Sequence, residues 1–192
     1  MAKGFVPVRY RSGAPYNGAA TKYVVATGDA NNIFVGDPVT LSGTGDSNGV
    51  PGVGLAAAGA RITGFVVGFA PHPTYIGSRA LRRGYRAASE EDYLLVADDT
   101  NLIFEGNEDG AGGYLAVTDI GNNVDVVAGT GSTYTFKSGY AIDSSTKATT
   151  SAGLRLHGLS TVQGNALSST STVWQVTINE STETPADGST GV

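Results

Sequence analysis

The sequence predicts an all-β protein, with a β-barrel or jelly-roll-like sandwich core and an extended N-terminal arm. Short runs of β-branched and aromatic residues recur at intervals of roughly ten residues, and Gly, Asn, Asp or Ser bounds each run. Helical periodicity is nearly absent, and Gly84 weakens the one stretch that allows a helical turn or two, residues 80–93. Together these observations favour strands throughout the chain.

The first segment, residues 1–20, predicts an extended arm that docks on another surface. Pro7 and Pro15 interrupt any helix, and several glycines surround them. The segment is nevertheless too apolar for a free tail. Its apolar side chains include Phe5, Val6, Val8 and Tyr10.

Ten later runs predict the strands of an all-β domain, residues 21–179. They are KYVVAT, NIFVGDPVTLSG, RITGFVVGFA, DYLLVADD, NLIFEG, GYLAVTDI, NVDVVAG, STYTFKSGYAI, GLRLHGL and TVWQVTIN. In the last run, residues 174, 176 and 178 share one face, which predicts a core position for Trp174. The Gly-rich stretch GVPGVGLAAAGARITG, residues 49–64, predicts a flexible loop leading into a strand, and the polar end, residues 180–192, predicts a mobile tail.

The composition limits the chemistry available to the chain. It has 192 residues, of which 40% are hydrophobic and 15% are charged, a balance typical of a folded core. Cysteine is absent, which excludes disulfides, thiolate metal sites and a cysteine nucleophile. The first residues lack the apolar region of a signal peptide, and no apolar run reaches the roughly 18 residues of a membrane span.

Charge is divided unevenly along the chain. Residues 1–88 carry nine Lys and Arg but three Asp and Glu, whereas residues 89–192 carry three and fourteen. The sharpest step follows Arg82, Arg83 and Arg86, where acidic residues begin. Such a step is either a solvated loop or a contact with an acidic protein surface, and the sequence leaves both open. The net charge of −5 argues against a nucleic acid partner.

Several motif-like patterns lack the context that their chemistry needs. Ser47 lies in a literal G-x-S-x-G, but no strand-turn-helix surrounds it, and only His72 and His157 are available as a base. Gly52-Val53-Gly54 does not continue into a dinucleotide-binding motif. The acidic residues within 98–109 lack calcium-loop spacing. We therefore expect no catalytic residue, no metal, no cofactor and no small-molecule substrate.

Five phrases of the sequence resemble the capsid decoration, or cement, proteins of tailed bacteriophages. They are GFVPVRYRSGAPYNGA, IFVGDPVTLSG, ITGFVVGF, YLLVADDTNLIFEG and GGYLAVTDIGNNVDV, spread over most of residues 4–178. The resemblance implies a β-rich, trimeric structural protein without an active site, on the outer surface of the capsid. It also implies that a terminal segment, here the arm, lies across neighbouring capsid subunits.

On this resemblance the expected partner is the major capsid protein, and the expected location is the virion after synthesis in the host cytoplasm. Apolar arm residues would contact the shell, and arginines would pair with carboxylates of the capsid or of a neighbouring copy. The expected partner-binding residues are Phe5, Val6, Val8, Arg9, Tyr10, Arg11, Arg82, Arg83 and Arg86.

Two other functions stay open at this point. A glycan- or receptor-binding module of a phage tail or capsid surface would stack sugars on the loop tyrosines Tyr75, Tyr85 and Tyr140. A small β-barrel hydrolase would be built around Ser47 and would need a base that the motif context does not supply.

Overall fold

Strands separated by tight turns make up nearly all regular structure in this computed structural model, which describes residues 3–72, 84–183 and 190–191. The strands are β1 (Val6–Tyr10), β2 (Thr21–Val25), β3 (Ile33–Phe34), β4 (Pro38–Gly45), β5 (Pro51–Leu55), β6 (Gly64–Ala70), β7 (Tyr85–Arg86), β8 (Asp92–Ala97), β9 (Leu102–Asn107), β10 (Asn123–Val127), β11 (Ala141–Ala148), β12 (Leu154–Leu159) and β13 (Val173–Ile178). One 3-10 helix spans Val117–Asp119. The prediction of an all-β protein is confirmed.

Five of these strands close into a small barrel. Their order is β2-β5-β4-β6-β8, and β8 pairs with β2 to complete the ring. Only the β2–β5 contact among these five is parallel. Apolar and mostly β-branched side chains fill the interior, as expected for a barrel of this size.

Six other strands form an antiparallel sheet in the order β1-β9-β13-β12-β10-β11. Its inner face buries alternate residues because successive side chains of a strand point to opposite faces. Trp174, Val176 and Ile178 of β13 are all buried there, which confirms their predicted core position. The Trp174 indole N–H donates a hydrogen bond to the buried Glu108 Oε1 at 3.1 Å. No helix in the described residues is long and apolar enough to cross a membrane.

Strand β6 connects the barrel to the sheet. Phe65 packs into the core beneath the six-stranded sheet, whereas the next residue, Val66, packs inside the barrel. The Phe65 ring lies 4.4 Å from the ring centroid of Phe5 and 4.7 Å from that of Phe104. One strand of the barrel therefore supplies the central aromatic side chain of the second core.

The N-terminal arm is part of this fold. β1 pairs antiparallel with β9, with Val6 opposite Glu105, and so forms one edge of the six-stranded sheet. Phe5 is 1% exposed, and its ring lies against Gly106, where a Cβ atom would come within 2.6 Å of it. The arm was expected to dock on another surface. Instead, Phe5 is buried against the rest of the same chain, whereas Val6 is exposed and the other residues of β1 are half-buried.

Other segments differ from the sequence-based expectation as well. The Gly-rich loop predicted within residues 49–64 contains the barrel strand β5, in which Val53 is buried. The strand predicted for residues 113–120 is irregular and includes the 3-10 helix Val117–Asp119, and the Leu115 N–H donates to the Glu108 carboxylate at 2.7 Å. Residues 133–135 form a turn, Phe136 has a φ of 59°, and Lys137 makes an isolated bridge with Val35 before β11 begins. Where the mobile tail was predicted to begin, Ile62 N–H donates to the Glu180 carbonyl at 2.9 Å.

Phe5→Ala is expected to lower the free energy of unfolding by about 3 kcal/mol, because it leaves a cavity beside Phe65. Urea unfolding followed by the fluorescence of Trp174 measures the change. Val8→Ala, in a half-buried position of the same strand, is the matched control and should cost about 1 kcal/mol or less. Equal effects of the two changes would contradict the burial of the arm in the core.

Candidate interaction site on the N-terminal arm

A close backbone crossing fixes the start of the arm. The Phe5 N–H donates to the Gly36 carbonyl at 3.0 Å. Gly4 and Gly36 have φ values of 69° and 93°, and a Cβ atom on Gly4 would lie 2.4 Å from the Ser138 side chain. Glycine is required at both positions because the two backbones approach closely in left-handed conformations. The backbone at Gly36 therefore holds the start of the arm in place.

A buried carboxylate lies beside this crossing. Asp37 accepts a hydrogen bond from the Phe34 N–H at 2.8 Å, and the residue is almost wholly buried. Burial raises the pKa of Asp37 to about 6, although the Ser138 hydroxyl and the Phe34 N–H oppose this rise. The folded protein consequently places an ionised carboxylate in its interior at neutral pH, at a cost in stability.

An apolar groove of about 220 Å³ opens beside β1. We call it the arm groove. It is lined by Phe5, Val6, Pro7, Tyr16, Val35, Val66 and Val67. Val6 and Val35 are 51% and 36% exposed, although both are large aliphatic residues. The arm thus buries Phe5 within the chain and presents Val6 to solvent at the edge of an apolar surface.

The remaining arm residues face in different directions. Val8 and Tyr10 are half-buried, and Tyr10 packs against the core under the sheet. Arg9 Nη2 donates a hydrogen bond to the Gln175 Oε1 at 3.1 Å. Arg11 is exposed, and its backbone N–H donates to the Asn101 carbonyl at 2.8 Å. Val6, Arg9 and Arg11 therefore keep accessible side-chain surface, as the prediction for them requires, whereas Phe5 does not.

The buried Arg86 side chain joins segments of its own chain by hydrogen bonds. Its assignment to a partner surface is therefore wrong. Its side chain is fully buried, with 0% exposure. Its Nε donates to the Glu90 carbonyl at 2.8 Å, and its Nη2 donates to the Ala26 carbonyl at 2.9 Å. Its Nη1 donates to the Asn31 carbonyl at 2.5 Å and pairs with the Asp29 carboxylate at 3.2 Å. The guanidinium group is fully occupied in joining the segments that follow β2 and β7.

The rest of the charge step is also partly internal. Arg82 and Arg83 lie outside the described residues, so their role stays a prediction. His72 Nε2 lies 3.2 Å from Glu91 Oε1, and Asp92, the first residue of β8, is buried. The described part of the step therefore holds neighbouring segments of this chain together.

The residues of the two alternative functions are not arranged as those functions need. Tyr140 is buried and donates its hydroxyl to the Ala56 carbonyl at 2.8 Å. Tyr85 lies between the rings of Phe34 and Phe136, and Tyr75 is outside the described residues. Within the described ranges the Ser47 hydroxyl makes no hydrogen bond, and no group of three acidic or histidine side chains is placed to hold a metal ion.

Sequence reasoning missed the barrel side of the arm groove. Val35 and Val67 belong to segments that were predicted to be core strands, and nothing in a strand pattern tells which aliphatic side chain stays exposed. One available signal was the pair of glycines, Gly4 and Gly36, since an apolar segment next to a glycine often marks close backbone approach. That signal identifies the crossing but not its partner.

Asp37→Asn is expected to stabilise the protein in a pH-dependent way. The folded pKa of Asp37 lies above the unfolded value of 3.8, so the wild-type protein loses stability as pH rises through about 6. Between pH 4.5 and 7.5 the stability of the variant relative to wild type should increase by about 2 kcal/mol. Urea unfolding at both pH values tests this, with Glu183→Gln as the control for loss of an exposed carboxylate. A relative stability that stays constant would contradict it.

Comparison with known proteins places the chain in no family. No family model, no curated protein and no solved structure matches it. The arm groove and the charged side chains near it are therefore the features from which a function is inferred.

Proposed function

We propose that this protein is a structural virion protein that binds the outer surface of a phage capsid and bridges capsid subunits. The observation that carries the proposal is the arm groove. Val6 and Val35 are exposed aliphatic residues beside an apolar cleft, on segments joined by the backbone hydrogen bond from Phe5 to Gly36. Exposed apolar surface next to a cleft is typical of protein-protein contacts.

The rigidity of the arm supports a binding role. β1 is hydrogen-bonded to β9 along its length, and Phe5 anchors it in the core. A partner that docks on such a preformed surface does not have to order a flexible segment, which otherwise costs binding free energy. Many copies on one particle then add their modest individual affinities through multivalency.

Charged side chains further along the arm support the same reading. Arg9 and Arg11 follow Val6 on the arm, where Arg11 is exposed and Arg9 is half-buried and donates to Gln175. Arginines at the rim of an apolar contact steer and orient an acidic partner more than they add affinity. Together with the resemblance to capsid decoration proteins, this favours the major capsid protein as partner, a trimeric assembly, and the virion surface as location after synthesis in the host cytoplasm.

The double change Val6→Asp and Val35→Asp is expected to reduce capsid binding at least tenfold, because two carboxylates would be buried in an apolar contact. Capsids assembled without this protein are mixed with the purified chain and sedimented, and bound copies are counted. Light scattering of the free chain measures the expected trimer.

The matched control for this experiment is Val162→Asp. Val162 is 55% exposed, close to the value for Val6, but lies in the loop between β12 and β13. It should bind capsids like the wild type, and thermal melting should show all variants folded. Capsid binding by the double variant at wild-type level would remove the arm groove from the proposal.

A specific observation favours one alternative, a glycan- or receptor-binding module. Tyr134 is 91% exposed at a cleft of about 660 Å³ that Lys3 and Lys137 also line. An exposed ring in a cleft is a surface on which a sugar stacks. A glycan array probed with wild type and Tyr134→Ala tests this function. Specific binding that Tyr134→Ala abolishes would favour the module, and an array without binding, which the capsid proposal predicts, would eliminate it.

A further inference from the structure

Three arginines from distant parts of the sequence gather on the outer face of the six-stranded sheet. Arg9 and Arg11 come from the arm, and Arg155 comes from β12. A polar cleft of about 270 Å³ lies between Arg11 and Arg155. Its lining consists of Arg11, Thr100, Asn101, Arg155, Thr177, Ile178 and Asn179. We call it the arginine cleft.

The positive charge at this face is not neutralised within the described part of the chain, where no carboxylate comes within 4.0 Å of the three guanidinium groups. Arg9 donates to the neutral side chain of Gln175, and Arg155 Nη1 donates to the Thr190 carbonyl at 3.2 Å. By contrast, Arg86 in the interior of the same protein is paired with Asp29.

Two acidic residues of the neighbouring described segments, Glu105 and Asp99, are already engaged. Glu105 Oε1 accepts hydrogen bonds from Ser160 at 2.7 Å and from Gln175 at 3.2 Å. Asp99, in the same turn as Asn101, accepts the backbone N–H of Asn101 at 2.7 Å. The cleft therefore presents donors in excess of acceptors, which suits an anionic ligand.

His157 lies on the same strand as Arg155, and the positive charges of this face affect its pKa. Its Nε2 lies 2.9 Å from the Thr177 Oγ1. Burial lowers the pKa of His157, and the positive charges of Arg11, Arg155 and Arg9 lower it further. The three guanidinium groups thus act on one point of the sheet, although their residues are far apart in sequence.

We propose that Arg11 and Arg155 bind a carboxylate side chain of an acidic protein segment in the arginine cleft. The guanidinium group presents N–H donors in a planar fork that matches a carboxylate, and two such groups flanking one cleft define a position for it. Asn101 adds a neutral side-chain donor at the lining, whereas the Asn179 amide already donates to the Ala152 carbonyl at 2.9 Å.

The choice of a protein carboxylate rests on the proposed function. The arm groove and the arginine cleft lie at opposite ends of β1, about 17 Å apart at the rise of an extended strand. A capsid surface that covers the arm would reach both, with apolar side chains at Val6 and acidic side chains at Arg11. A free phosphate ion would need only the cleft.

Titration with a capped hexaglutamate peptide at low salt tests the inference, with binding to the full chain followed by calorimetry. The double variant Arg11→Gln and Arg155→Gln should bind at least tenfold more weakly. Lys22→Gln with Lys137→Gln removes two exposed charges elsewhere and should stay within twofold of the wild type. Equal binding by both double variants, or no binding by the wild type, would overturn the proposal.

Two further experiments distinguish the possible anions and keep the test independent of folding defects. Inorganic phosphate that binds where hexaglutamate does not would assign the cleft to a free oxyanion and overturn the peptide site. The charge reversal of Arg11→Glu with Arg155→Glu should lose hexaglutamate and gain a capped hexalysine peptide. If thermal melting shows that the charge-reversed variant is folded, and it binds hexaglutamate and hexalysine as the wild type does, the proposal is overturned.

Capsid sedimentation separates this inference from the proposed function. If the arginine cleft receives a capsid carboxylate, Arg11→Gln with Arg155→Gln should reduce the number of bound copies. Loss of capsid binding in the Val6 and Val35 double variant, together with unchanged binding in the arginine variant, would leave the proposed function standing and reject the cleft.

Discussion

The contact between Phe5, Phe65 and Phe104 is the interaction on which the arrangement of this protein depends. It brings together the arm, the barrel and the six-stranded sheet, each of which supplies one ring. Because β6 is a barrel strand, the position of Phe65 ties the second core to the barrel wall. This aromatic contact positions the arm, including Val6 and the arginines that follow it.

The way in which the edge of the sheet is protected decides how a partner can bind. β1 is an edge strand with Pro7 and a register shift between Pro7 and Arg9, two devices that discourage addition of another strand. The chain also folds back on it, with Tyr10 N–H donating to Ala14 and Tyr16 N–H donating to Val8. Recognition at the arm therefore falls to side chains, namely the aliphatic groups of the groove and the guanidinium groups of the cleft.

Sequence patterns predicted the class of the fold and the core face around Trp174, because period-two burial is a local property of a strand. They failed where distant segments meet. The strand β5 was predicted as a loop, since its glycines suit a flexible segment. In the structure Gly52 instead leaves space for Ser42 and Thr44, which pack against it. Arg86 was assigned to a surface, because its buried carbonyl partners near Ala26 and Asn31 cannot be recognised from the residues around it.

The same limit applies to the candidate site. The arm was predicted to be an apolar segment that another surface covers, and for Phe5 that surface belongs to the same chain, whereas Val6 stays exposed. Arg9 and Arg11 were selected from local composition, whereas Arg155 joins them only through the sheet order that sets β12 two strands from β9. Strand order is a long-range property, and local pattern determines it poorly.

The pairing of β1 with β9 also determines when the fold can be completed during synthesis. Val6 lies opposite Glu105, and Thr21 of β2 lies opposite Val96 of β8. The first two strands leave the ribosome before their main partners, β9 and β8, have been synthesised. The N-terminal aromatic side chains therefore stay uncovered in the nascent chain until most of a hundred further residues have followed. Closing a loop of that length costs entropy before any contact offsets it, and a chain built in this way folds slowly, with barrel closure and arm docking as its late events.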